Sequence, residues 1–250
     1  MGIKREPHGG REMGIIDNLK KQEAEAIVKG FAGMAYIPSI GRVLKRGGVD
    51  KFINLMSENV EKLERINDQA GFDAFHDQVV SLISKEIKTI RGEEPSYGQA
   101  QKPLNVFLKV FVDWANKPTP EEAMTLRPFL HVPLDSIVMK AIKDNFPSDY
   151  SLHVVQEYDR IRELFGRRDD VRAKLQHQGE KAVESSLKGI INPANFSLSR
   201  IFLRDMYYAW QKCLRSIHPD KPVLLDIFWF VNRDRPKKGR RTSPLRQKTS

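Results

Sequence analysis

Gly98-Gln-Ala100-Gln-Lys102 sets a glycine, a small residue two positions on and a lysine two further at the head of a strongly apolar helical stretch. Small residues let the chain turn tightly there, so that N–H groups at the second helix's N-terminus can face a phosphate. Residues 72–90, the turn Glu94-Pro-Ser-Tyr-Gly98 and residues 99–115 thus form a candidate helix–hairpin–helix. Its phosphate-holding positions are Tyr97, Gly98, Gln99, Ala100 and Gln101. Two carboxylates stand near the heads of later apolar runs. Asp135 follows Pro133-Leu134 and reads as a helix N-cap. Asp226 lies in Pro222-Val-Leu-Leu-Asp-Ile-Phe-Trp229 and is explained equally by pairing with a nearby arginine.

Other chemistries find less to work with. Cys213 is the only cysteine, which excludes an internal disulfide and a cysteine-rich metal site within one chain. The six histidines form no HxxxH or HxH pair, so neither a metal nor another cofactor is expected. G-x-S-x-G, GxxxxGK[ST] and GxGxxG are all missing. Lysine and arginine number 42 against 32 acids, a net charge of +10. Part of that excess lies between Arg233 and Lys248, which hold eight basic residues and one acid. Such a tail binds phosphate by releasing counterions, or is simply solvated.

The elements that must position these groups read as helices throughout. Ile15 to about Phe31, with Gly30 as a stop, forms the first. Phe52, Ile53, Met56, Val60 and Leu63 keep a 3.6-residue period, as do Phe72, Phe75, Val79, Leu82, Ile83 and Ile87. Further helices are expected over 99–115, 135–145, 151–165, 168–190 and 197–217, with a last apolar one ending at Arg233. No strand alternation is visible, so the fold is expected to be all-α. The expected organisation is a disordered segment 1–14, one helical domain 15–232 with an insertion at about 146–200, and a disordered basic tail 233–250. No apolar run reaches the roughly 18 residues that cross a bilayer, and the N-terminus carries no secretory pattern. A cytoplasmic location is expected, nucleoid-associated if the chain binds DNA.

The spacing G-x-A-x-K at Gly98–Lys102 resembles the G-x-G-x-K hairpin of the helix–hairpin–helix DNA glycosylase superfamily, in which the lysine is the catalytic amine. His131-Val-Pro-Leu-Asp135-Ser-Ile-Val-Met-Lys140 is similar to the superfamily segment whose aspartate opens a helix and is the essential carboxylate. Gln211-Lys212 followed by the Leu225-Asp226 pair and Trp229 resembles the C-terminal run of the archaeal 8-oxoguanine branch. The separation of 33 positions from Lys102 to Asp135 also looks like that branch. The three segments are collinear.

The resemblance implies a DNA-binding base-excision glycosylase with AP lyase activity. Lys102 would be the nucleophile that forms a Schiff base, and Asp135 its acidic partner. Lys140 would join the hairpin in holding DNA. The target base must leave the stack, and Tyr97, Trp114, Trp210 and Trp229 are rings that could wall its pocket. Two departures stand out. Ala100 replaces the second hairpin glycine. Pro103 fits only if Lys102 lies at or before the first helical turn. The alternative is a non-catalytic nucleic-acid-binding or interaction protein on the same scaffold, and catalysis requires Lys102 and Asp135 to face one solvent-reachable cleft. Tyr208 to Pro222 also resembles the His-Pro-Asp loop of J-domain co-chaperones, but the segment after it is too apolar for that module's surface helix.

Overall fold

Asp68, Ser96, Thr119 and Asp135 each precede an apolar-periodic run, and each caps a helix. The Asp68 carboxylate accepts from the Gly71 N–H at 2.7 Å. Ser96 with Gln99, and Thr119 with Glu122, form capping boxes at the heads of Tyr97–Leu108 and Pro120–Leu126. Asp135 accepts from the N–H groups of Ile137 and Val138, each at 2.9 Å, and so starts Ser136–Asn145.

The computed structural model describes residues 9–45, 47–168 and 180–233. Among them the chain is helical, with no strand beyond one isolated antiparallel bridge between Leu44 and Thr89. No helix of the described residues is long and apolar enough to cross a membrane. Residues 1–8 of the expected disordered start, part of the expected charged helix (169–179), and all but Arg233 of the basic tail lie outside the described residues.

The first helix is much longer than its sequence signals suggest. Gly9–Ile40 begins ahead of Ile15 and runs through Gly30 and on through Pro38. A glycine in a helix costs only about 1 kcal/mol relative to alanine. Val28, Ala32, Ala35, Tyr36 and Ile40 lie on one buried face, and packing against Gly48–Asn59 and Tyr97–Leu108 outweighs that penalty. The expected start of residues 9–14 as disordered chain is corrected by the same helix.

Two hydrophobic clusters divide the molecule. The first gathers the helices up to Leu130 around Tyr36, Phe52, Phe72, Phe107 and Phe111. The second begins at Val132 and centres on Tyr158, Tyr207 and Trp210. Residues 147–166, expected as an inserted segment, supply Tyr150, Val154, Tyr158 and Ile161 to this second core. Tyr97 and Leu198 pack against both clusters.

Tyr97–Leu108 runs between the clusters, and nine of its twelve residues are buried. Lys102 is its sixth residue and Pro103 its seventh, so the proline sits within the helix and not at its first turn. The missing N–H removes the bond to the Gln99 carbonyl, and burial on nearly every side keeps the helix intact across that gap. It passes directly into a π-helical turn, Lys109–Trp114.

Candidate active site

The aspartate that caps Ser136–Asn145 is delivered by a short extended segment, Leu130–Leu134, all buried. Its backbone polar groups need partners away from water, and side chains supply them. The Gln211 amide accepts from the Val132 N–H and donates to the Val132 carbonyl, both at 2.9 Å. Asn105 reaches that carbonyl at 3.4 Å. The ammonium of Lys102 donates to the Pro133 carbonyl at 3.3 Å and to Oδ2 of Asp135 at 3.1 Å. Lys102 and Asp135 thus meet side chain to side chain, with 9% and 16% of their side chains exposed.

A second pair lies beside the first. Lys109 is seven residues after Lys102, two α-helical turns, and therefore on the same face. Its Nζ lies 2.5 Å from Oδ2 of Asp226. The aromatic rings of Trp114 and Phe230 flank that ammonium, with centroids at 4.9 and 5.1 Å, close enough for cation–π attraction. All four charged groups line one cavity of about 210 Å³, together with Trp114 and Trp229. Trp114 and Phe230 are exposed at its rim, at 57% and 46%. Asp226 pairs here with a lysine and not with an arginine.

The other rings are placed elsewhere. Trp210 is core, its indole N–H donating to the Tyr158 hydroxyl at 3.2 Å. Tyr97 points into a buried polar network and donates to Asp77.

That network fills the joint between the two cores. His76 and His131 lie with ring centroids 4.5 Å apart. His76 contacts the Asn105 side-chain oxygen at 2.9 Å, and His131 bridges Tyr207 and Asp73, each at 2.9 Å. Burial holds both imidazoles below their ordinary pKa, His76 well below, with the Asp73 contact opposing the shift at His131. Burial pushes the Asp73 carboxyl up, but hydrogen bonds from His131 and Gln69 outweigh it and leave it below its ordinary range. Burial likewise raises the hydroxyls of Tyr97, Tyr207 and Tyr208. The network is built of neutral rings and hydroxyls around Asp73 and Asp77, and it fixes the segment that carries Asp135.

The expected phosphate-binding turn is a correction. The Gly98 N–H donates to the Ile201 carbonyl at 2.8 Å, and Ala100 and Gln101 are fully buried. The Gln99 N–H is held by Ser96 in the capping box. A β-carbon at Gly98 would lie 2.5 Å from the Leu198 carbonyl oxygen. The glycine is there for close approach of residues 198–201, which cover the turn and leave Tyr97, Gly98, Gln99, Ala100 and Gln101 no open amide cradle. Lys140 is exposed on Ser136–Asn145 and does not line the cavity.

Lys109 and Asn105 belong to the site and lie in no motif, while Gln211 enters only through the C-terminal resemblance. Lys109 was legible, since a lysine seven residues from a candidate nucleophile shares its face. Asn105 shows only as a polar residue on an otherwise apolar stripe.

No protein-family model, curated protein or solved structure matches this chain.

Proposed function

We propose that the chain is a DNA-binding base-excision glycosylase with AP lyase action, working through a Schiff base on Lys102. The supporting observation is the meeting of Lys102 and Asp135 at 3.1 Å on the wall of one cavity with an exposed aromatic rim. A flipped nucleotide entering that cavity would bring its C1′ to the amine. Asp135 takes a proton from the ammonium, and the freed lone pair attacks C1′. The C1′–base bond breaks and the base leaves with the bonding electrons, taking the proton that Asp135 holds. Asp135 then moves a proton from the bound nitrogen to O4′ as the C1′–O4′ bond breaks, which opens the ring to the imine.

Lys109 and Asp226 present a donor and an acceptor within the same cavity, suited to the polar edge of a base, while Trp114 and Trp229 offer rings to its face. An oxidised purine, with an altered donor and acceptor edge, fits this set. The net charge of +10 favours the polyanion.

A second reading has one observation in its favour. The Lys102–Asp135 pair is closed and mostly buried, which is also how a purely structural ion pair would look. On that reading the chain is a non-catalytic nucleic-acid-binding or interaction protein on the same scaffold.

Strand cleavage at a single abasic site separates the two. The wild type is expected to cut by β-elimination and Lys102→Gln to be inert, with both still binding duplex DNA in a salt-dependent manner. Binding without cleavage by the wild type would leave the second reading.

A further inference from the structure

The π-helical turn Lys109–Trp114 is closed by an Ala115 N–H bond to the Val110 carbonyl at 3.0 Å. Its effect on the cavity wall follows from helix geometry. On an uninterrupted α-helix, residue 114 would point about 120° round from Lys102. A turn closed at i→i+5 takes in one extra residue, which brings that direction back by about 100°. Trp114 is thereby returned to the face of Lys102 and Lys109, and its ring lies 4.9 Å from the Lys109 ammonium.

Such a turn is less favourable than an α-helical one and must be held. Asp113, at its C-terminal end, has a side chain only 5% exposed. Its Oδ1 lies 2.5 Å from Nζ of Lys221 and 3.3 Å from Nε of Arg127. The Arg127 guanidinium also donates to the Asp113 carbonyl at 3.4 Å. Lys221 immediately precedes the 3-10 turn Pro222–Asp226 that carries the partner of Lys109. Two ion pairs of reversed order, Lys109 with Asp226 and Asp113 with Lys221, thus staple the π turn to residues 221–226.

We propose that Asp113 is a positioning residue for base recognition: its ion pair with Lys221 locks the π turn in the register that sets Trp114 and Lys109 on the cavity wall. The inference rests on the glycosylase reading, and it divides the two activities of the pocket. Release of a base needs the wall formed by Trp114, Lys109 and Asp226. Cleavage at a site that has already lost its base needs only Lys102 and Asp135.

The test uses the full chain with Asp113→Asn and, at the more exposed end of the pair, Lys221→Met. Substrates are a duplex with one abasic site and duplexes with a single 8-oxoguanine, uracil or hypoxanthine. For the base that the wild type releases fastest, both variants are expected to release it about 10- to 100-fold more slowly, the scale of a misplaced contact. Cleavage at the abasic site is expected to stay within about twofold of wild type, because Lys102 and Asp135 are untouched. With 5-fluorotryptophan incorporated, the Trp114 fluorine resonance is expected to move in both variants while that of Trp210 stays in place. Equal loss of both activities, or an unmoved Trp114 resonance with base release intact, would overturn the proposal. A wild type inert on every duplex would instead refute the glycosylase reading and the recognition role with it, and a moved Trp114 resonance would still uphold the hold of Asp113 on the turn.

Discussion

The side-chain amide of Gln211 pairs with both backbone groups of Val132, accepting from its N–H and donating to its carbonyl at 2.9 Å each. Gln211 belongs to Arg204–Ile217, and Val132 lies three residues before Asp135, so a buried glutamine of the second core sets where the carboxylate stands. Replacing Gln211 by leucine orphans the buried Val132 N–H and leaves its carbonyl only the longer bond from Asn105. A loss of about 1–3 kcal/mol per orphaned group is expected in chemical denaturation. Lyase turnover is expected to fall more than DNA affinity, because the aspartate is displaced and the outer surface is not. Unchanged turnover in a folded Gln211→Leu protein would show that the clamp has no bearing on Asp135.

Asp135 does two things that substitution can separate. Asparagine caps helices about as well as aspartate, whereas alanine loses the cap at a cost of about 1 kcal/mol. Asp135→Asn is therefore expected to melt close to wild type but to form the Schiff base about 10²- to 10⁴-fold more slowly, the usual range for a lost acid–base group. Asp135→Ala is expected to lose both. Stopped-time trapping alongside thermal melts checks this, and an Asp135→Asn protein with wild-type kinetics would remove the carboxylate from the chemistry.

His76 and His131 are buried and neutral in the fold, with pKa values below their ordinary one. An unfolded histidine titrates at about 6.5, so the unfolded chain binds more protons below that pH. Stability is then present above the unfolded value and is lost as pH falls toward the folded one. The urea midpoint is expected to drop between about pH 7.5 and about pH 5.5. The drop should be smaller in His76→Gln, whose amide can replace one hydrogen bond but takes up no proton. A pH-independent midpoint in the wild type would contradict the burial of this pair.

Gly98 tests how the turn before Lys102 is used. If the glycine serves close packing of Leu198 and Ile201, Gly98→Ala is expected to cost about 1–3 kcal/mol of stability. The salt dependence of DNA binding should not change, since no phosphate contact is lost. A stable Gly98→Ala protein with a shallower salt slope would restore the turn as a phosphate cradle.

Much of the fold was legible because its helices announce themselves locally. Asp135 is read as a cap from the sequence, whereas the helix Pro120–Leu126 that Thr119 and Glu122 cap is not among the helices expected from periodicity. Gly30 misled because a local stop signal is worth about 1 kcal/mol, and the buried face from Val28 to Ile40 outweighs it. The meeting of Lys102 with Asp135 is suggested only by the resemblance, since it depends on the buried segment Leu130–Leu134 that Gln211 holds in place. The covered turn at Gly98 was not legible, since it depends on residues 198–201 a hundred positions away. The π turn was hidden for a similar reason: Val110, Phe111 and Val112 suit an α-helix equally well, and the ion pair from Asp113 to Lys221 selects the wider turn.

Covalent chemistry at the Lys102 amine is measured most directly by borohydride trapping on a duplex with a single abasic site, followed by mass mapping of the adduct. The expected result is one adduct on Lys102, lost in Lys102→Gln while that variant still folds and binds DNA. An adduct on another amine, or none in a wild type that binds the duplex, would contradict a Schiff base at Lys102.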